Sequence, residues 1–497
     1  MKKNIKTILL LLPLAVAGLA GCGGKGGGNN NNDGSKVTIK FWHTFGQTVV
    51  DGLKEKIRTF SAAVKEHDGV DVDVQMIYQG GYPETAKKIT DGYSVGNKPT
   101  IAVSYPDSIA DYLEIAKSAN DDFVVNLDTY INDEQVGFGK ETWLGDEYDE
   151  TDFVEDFYNE GSVYSQEGTY SLPYMKSTEI MFYNMKLLKK ALKLYDTTKE
   201  WGDNAIKNYM KKLTWNDFIQ LCAFIKEHKS EISNVLEVPT WYDSDANFFV
   251  TKLYQDDIPY SSITEQGTGA IEFGKAGNKE KVVEFLESVN DMQTNGLLLT
   301  KGIKNKYGSD FFTGEKCMFS IGSSGGSGYN FPQADAFQLE VCRVPASFKY
   351  GTETINPLYV TQGPTLAIFS DNGLDHDLNE QTKLYAWKFV KYITNGKVNA
   401  ELCVNGSEGY VPVRNSAYET EFFQEFMAEG ENYAKCYEVV LNDINNGAGY
   451  VVSPVFKGSA ALREACGSLL TAAATAENKA SIPGLIDEAI DAARQKM

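Results

Sequence analysis

Few residues of this chain are spaced for bond-breaking chemistry. No serine-nucleophile elbow, His-Glu-x-x-His zinc pair or nucleophilic-cysteine signature is read in it. Ser323-Ser324-Gly325-Gly326-Ser327 is a glycine-rich turn but not a complete Gly-x-x-x-x-Gly-Lys-Ser/Thr phosphate loop. Six cysteines lie beyond Cys22, with no Cys-x-x-Cys and no Cys/His group of zinc spacing, so neither a metal site nor a cofactor is expected. Of these, Cys317 and Cys342 lie on two β-like runs that could be neighbours, which would permit a disulfide, and buried free thiols are the alternative reading. A glycosidase needs two carboxylates about 5–10 Å apart, and 68 Asp and Glu leave that reaction open without a motif to support it. Noncovalent recognition has better candidates. Trp42 and His43 close a strand-like run, Tyr82 follows the Gly80-Gly81 turn, and Trp241-Tyr242 is either a stacking platform or core.

These residues need a scaffold. Val37–Trp42 and Val70–Tyr78 alternate as strands, with helical patterns at 49–66 and 84–95 and a short buried strand at 100–104. Strand–helix repetition predicts α/β lobes with largely parallel sheets. A polar, acidic stretch covers 132–160. Further strands are expected at 169–174, 180–183, 316–321, 337–344 and 366–369, and helices at 185–194, 214–229, 280–294, 384–393, 460–474 and 482–495. At 497 residues the chain exceeds one ordinary core. A net charge of −21 argues against nucleic acid as a partner.

The N-terminus reads as an export signal: Met1–Lys6 is basic, and Thr7–Leu19 is apolar but too short for a stable membrane span. It ends in Leu19-Ala20-Gly21-Cys22, which resembles a bacterial lipobox and implies lipidation at Cys22 after removal of the signal within residues 1–22. Residues 23–36 contain the polar run GGKGGGNNNNDGS, expected to be a flexible leash.

A wider resemblance runs along the chain. Ile39-Lys40-Phe41-Trp42-His43, Tyr78-Gln79-Gly80-Gly81-Tyr82 and Gly96-Asn97-Lys98-Pro99-Thr100-Ile101 come first. Leu172-Pro173-Tyr174 through Phe182-Tyr183-Asn184, Thr214-Trp215-Asn216-Asp217-Phe218, Phe312–Met318 and Gly409-Tyr410-Val411-Pro412-Val413 follow in order. Together they resemble the extracellular solute-binding proteins of ABC importers, in the branch that binds oligosaccharides and glycerol 3-phosphate. The resemblance implies a two-lobe, type II periplasmic-binding-protein-like fold with hinge crossovers. Lobe one would be 37–145 and 356–406; lobe two would be 146–355 and 407–497. The chain would be a monomeric, non-enzymatic capture subunit, lipid-anchored outside the cell membrane and serving permease subunits; the alternatives are a secreted glycosidase and a cell-surface adhesin or receptor.

Carried over by position, the resemblance implies ligand contacts at Tyr82, Asp107, Ser177, Ser323 or Ser324, Gly363 and Tyr410, with Trp42, His43, Trp241 and Tyr242 added from their own positions. Asp107 is read equally well as a turn residue. One departure matters: the branch has an arginine two residues past its late Lys-Gly, and here that position is Ala460, after Lys457-Gly458. A phosphate wants a bidentate cation. Its absence favours a neutral sugar over glycerol phosphate, with Lys457 or Lys176 as lesser substitutes.

Overall fold

A computed structural model describes residues 36–119, 121–333, 336–348, 354–406, 408–445 and 449–497. The export signal, Cys22 and the leash up to Ser35 lie outside the described residues. The strands, in chain order, are β1 (Lys36–His43), β2 (Asp71–Tyr78), β3 (Ile101–Ser104), β4 (Leu172–Pro173), β5 (Ser177–Asn184), β6 (Val238–Tyr242), β7 (Ser261–Ile263) and β8 (Gly269–Ile271). They continue with β9 (Leu298–Thr300), β10 (Cys317–Ser323), β11 (Leu339–Arg343), β12 (Ser347–Phe348), β13 (Ile355–Asn356), β14 (Leu358–Gln362), β15 (Thr365–Ile368) and β16 (Gly449–Val451).

Two sheets organise the molecule. The first runs β2-β1-β3-β15-β4, parallel across β2, β1 and β3 and antiparallel at β15. The alternation of β1 explains its place. Val37, Ile39 and Phe41 are fully buried on one face, where Phe41 meets Phe389 of the helix His376–Thr394. Trp42 points to the other face, into a cluster with Ile89, Ile109 and Leu113 of the helices Tyr82–Val95 and Pro106–Ala119. A strand covered on both sides belongs inside an α/β sheet. The second sheet runs β16-β14-β5-β10-β6-β9, and all eight residues of β5 are buried.

The chain passes between the sheets through very short links. Residues 174–176 join β4 of the first sheet to β5 of the second, and 363–364 join β14 of the second to β15 of the first. β4 and β14 therefore sit on the far side of the boundaries expected from the sequence. The two-lobe α/β architecture itself is as expected.

Of the two readings of Cys317 and Cys342, free thiols hold, for a topological reason. β10 and β11 pair with opposite edges of β5, so β5 lies between Cys317 and Cys342. All six cysteines from Cys222 onward are free and buried. Among the described residues no helix is long and apolar enough to cross a membrane, and no His/Cys/Asp/Glu cluster could hold a metal ion.

Candidate functional site

Strand ends from both sheets converge on one cleft of about 1980 Å³. The carboxyl ends of parallel strands are where open α/β sheets present ligand-binding groups. From the first sheet, β2 leads through a glycine turn to Tyr82, and β3 leads to Tyr105 and then Asp107 in the first turn of the next helix. From the second, β6 leads to Asp243 and, in the first turn of the helix Asp245–Gln255, to Asn247; β10 ends at Ser323 and leads on to Gly325. Lys176 enters from a link between sheets, and Arg463 from the helix Ser459–Ala474. Among the described residues the aromatic lining is all tyrosine: Tyr82, Tyr105, Tyr260, Tyr307, Tyr329 and Tyr410. Tyr82 and Tyr105 meet edge to face at 4.6 Å, and Tyr410 hydrogen-bonds Tyr82. Gly325 lets the Tyr410 ring lie flat against the backbone, since a Cβ there would come within 2.8 Å of it.

The charges in the cleft are matched. Lys176 Nζ donates to Glu160 Oε2 at 2.5 Å, with both side chains buried. The Arg463 guanidinium donates to Asn247 Oδ1. Burial pushes the Asp107 and Glu160 carboxyls above their ordinary range, and the Arg463 charge pulls each part of the way back. Asp243 is raised to about 6 by burial, while the Gly308 N–H, donating at 2.6 Å, favours its charged form. Behind Asn247, burial lifts Glu179 to about 8. Such a wall offers hydroxyl acceptors, fixed donors and ring faces, with no large excess of either charge.

Of the residues singled out by sequence, Tyr82, Asp107, Ser323 and Tyr410 line the cleft. Ser177 stands just behind it, its Oγ accepting from Ser323 Oγ at 3.2 Å. Ser324 is fully buried and accepts from the Thr178 N–H. Gly322–Gly326 does spell Gly-x-Ser-x-Gly, contrary to the sequence expectation, but a buried Ser324 with no histidine among the cleft residues is not a nucleophile. Four further expectations are corrected. Trp42 belongs to the core. His43 is buried and stacked on Phe45, its Nδ1 accepting the Phe45 N–H, and burial with the nearby Lys54 charge holds it neutral with a pKa of about 4. Trp241 packs on Phe311, and Tyr242 stacks on Phe248 while its hydroxyl donates to Glu179 at 2.5 Å. In each case the strand's last residues still point into buried faces. After β6 it is the next residue, Asp243, that reaches the cleft.

The profile of the family described as bacterial extracellular solute-binding protein matches residues 59–433. The chain belongs to that family. This solute-binding protein also shares its fold with solved structures over nearly its full length. The GacH receptor of Streptomyces glaucescens, solved unliganded and with acarbose and a homologue, is 17% identical, covers 92% of this chain and 99% of its own, and has a TM-score of 0.61. UgpB of Mycobacterium tuberculosis, solved with glycerophosphocholine, is 16% identical over 93% and 100%, with a TM-score of 0.63. The sugar-binding protein MalE of Xanthomonas citri is 14% identical over 93% and 98%, with a TM-score of 0.64. At these identities the likeness establishes the fold. No curated protein matches the chain by sequence.

Two cleft features of this solute-binding protein escaped sequence reading. Arg463 sits three residues past Ala460, the same helix face one turn on. Helical spacing carries that signal, but a position-by-position comparison misses it. Glu160 closes an acidic stretch with no strand pattern, so nothing local marked it. Gly363, expected as a ligand contact, instead holds the link: its backbone bonds the Tyr105 hydroxyl, its carbonyl accepts from Lys176, and its φ is +93°. A Cβ there would fall 2.2 Å from the Met175 carbonyl. Gly363→Ala is expected to cost at least about 2 kcal/mol in urea unfolding, from the left-handed conformation plus the clash; a loss under about 0.5 kcal/mol would show that the links can part freely.

Proposed function

We propose that this solute-binding protein captures a neutral carbohydrate between its lobes and hands it to the membrane subunits of an ABC importer. The observation that carries the reading is a cleft walled by tyrosines in which the two cations Lys176 and Arg463 already have partners. Arg463 faces Asp107 and Glu160, and Lys176 is paired with Glu160. A sugar presents hydroxyls to such groups and C–H faces to the rings, whereas a phosphate dianion would meet both carboxylates. The acarbose complex of GacH and the sugar-binding MalE of Xanthomonas citri support this reading. The glycerophosphocholine complex of UgpB supplies the rival class, for which Arg463 is the natural anchor. The lobes are taken as the two sheets with their covering helices, joined at 174–176 and 363–364. The export signal and Cys22 support lipid anchoring at the outer face of the cell membrane.

Calorimetric titration with maltotriose, glycerol 3-phosphate and glycerophosphocholine tests the assignment. Stoichiometric heat with the sugar and no released product supports it; binding only of the phosphate compounds would move the ligand to the rival class, and product release would make the protein a glycosidase. Tyr82→Ala is expected to weaken sugar binding about tenfold or more by removing a ring face, with an unchanged melting temperature.

A further inference from the structure

Lys176 occupies an unusual crossing of the chain. It is the last residue of one inter-sheet link, and its side chain is 1% exposed. Its ammonium reaches the carbonyl of Gly363 in the other link at 3.3 Å. Its backbone forms an antiparallel bridge with a third segment, Lys176 N–H donating to Val411 O at 3.1 Å and Val411 N–H to Lys176 O at 2.7 Å. The same ammonium donates to Glu160, which lines the cleft. Val411 directly follows the cleft residue Tyr410, and Gly363 bonds the cleft residue Tyr105.

We propose that Lys176 is the pin of the hinge: one buried charge ties both links and the 410–411 segment together, and the cleft carboxylate Glu160 sets how firmly it does so. A buried ammonium needs its counter-charge, because the carbonyl alone does not repay its desolvation. A solute that engages Glu160 competes for the group that anchors the pin. Binding then reaches the hinge through one bond rather than through bulk lobe motion. The capture role of the cleft gives this device its purpose, but the device itself is a property of the empty protein and is tested without ligand.

Hydrogen exchange of the full chain, with no solute present, reads it. In Lys176→Met the amides of Lys176, Gly363 and Val411 are expected to exchange at least about tenfold faster, while those of β1 and β6 keep their rates. Lys176→Arg, which retains a cation for Glu160, is expected to restore most of the protection. Glu160→Gln leaves an acceptor but no counter-charge, and is expected to loosen the same three sites to a smaller degree; it carries the test alone if Lys176→Met does not accumulate as folded protein. Unchanged exchange at Gly363 and Val411, or equal acceleration in both sheets, would overturn the proposal, because the first denies the tie and the second makes Lys176 an ordinary core residue. Failure of every sugar to bind would overturn the carbohydrate reading and leave these exchange rates, and with them the hinge assignment, standing.

Discussion

Arg463→Ala is expected to weaken solute binding by about 100-fold or more. The guanidinium is half-buried at the cleft wall, fixed by Asn247 and facing Asp107 and Glu160. Truncating one partner of such a buried charge arrangement costs about 2–5 kcal/mol in complexes, much of it from the charges left behind. Arg463→Lys is expected to recover only part of the loss, since a point charge cannot reproduce a planar fork. The sign of the pH effect follows. The Arg463 charge lowers the pKa of Asp107 and Glu160, so its removal lets both protonate at higher pH. Affinity of Arg463→Ala should therefore begin to fall at a higher pH than that of the parent as the solution is acidified. Calorimetry from about pH 5 to about pH 8 checks both statements; equal affinities would place Arg463 outside the contact surface.

Glu179→Gln is expected to make the protein more stable at neutral pH. Glu179 is buried in β5, with Oε2 accepting from Tyr242 and the Asn247 side chain beside the carboxyl. Burial raises its pKa from 4.5 to about 8, with Arg463, Asn247 and Tyr242 opposing and the Asp243 charge reinforcing the rise. Between those values the folded chain holds a proton that the unfolded chain has lost. Stability from this group is thus intact below about pH 4.5 and declines until about pH 8. At about 1.36 kcal/mol per unit, the decline reaches about 3 kcal/mol by about pH 7. A neutral glutamine of the same shape avoids it. Urea unfolding at about pH 5, 7 and 8.5 should show a gain that grows with pH. Parallel curves for parent and variant would mean that Glu179 does not titrate in this range.

Much of the scaffold is legible in the residue pattern because burial imposes it. β1 alternates since one face meets the His376–Thr394 helix, and Thr214 begins a helix because its hydroxyl caps the Asp217 N–H. The ordered motifs pointed to two lobes, and Tyr82, Asp107, Ser323 and Tyr410 do share one cleft. The failures have a common cause. Trp42 and Trp241 look like ring platforms at strand ends, yet whether a strand's last side chain is inside or out depends on which helix covers it. Arg463 and Glu160 come together from segments about 300 residues apart, so only the closed topology reveals them as neighbours.

The six buried thiols set a condition on how the body can be handled. None is bonded to another, and burial holds Cys222, Cys436 and Cys466 near a pKa of about 12, far from the reactive thiolate. No oxidant has to act for the fold to be complete, and none has to be kept away while it stays closed. Once the chain opens, all six become nucleophiles together. A thiol-reactive dye would therefore count unfolded molecules directly, and oxidative cross-linking would penalise a body that is slow to refold.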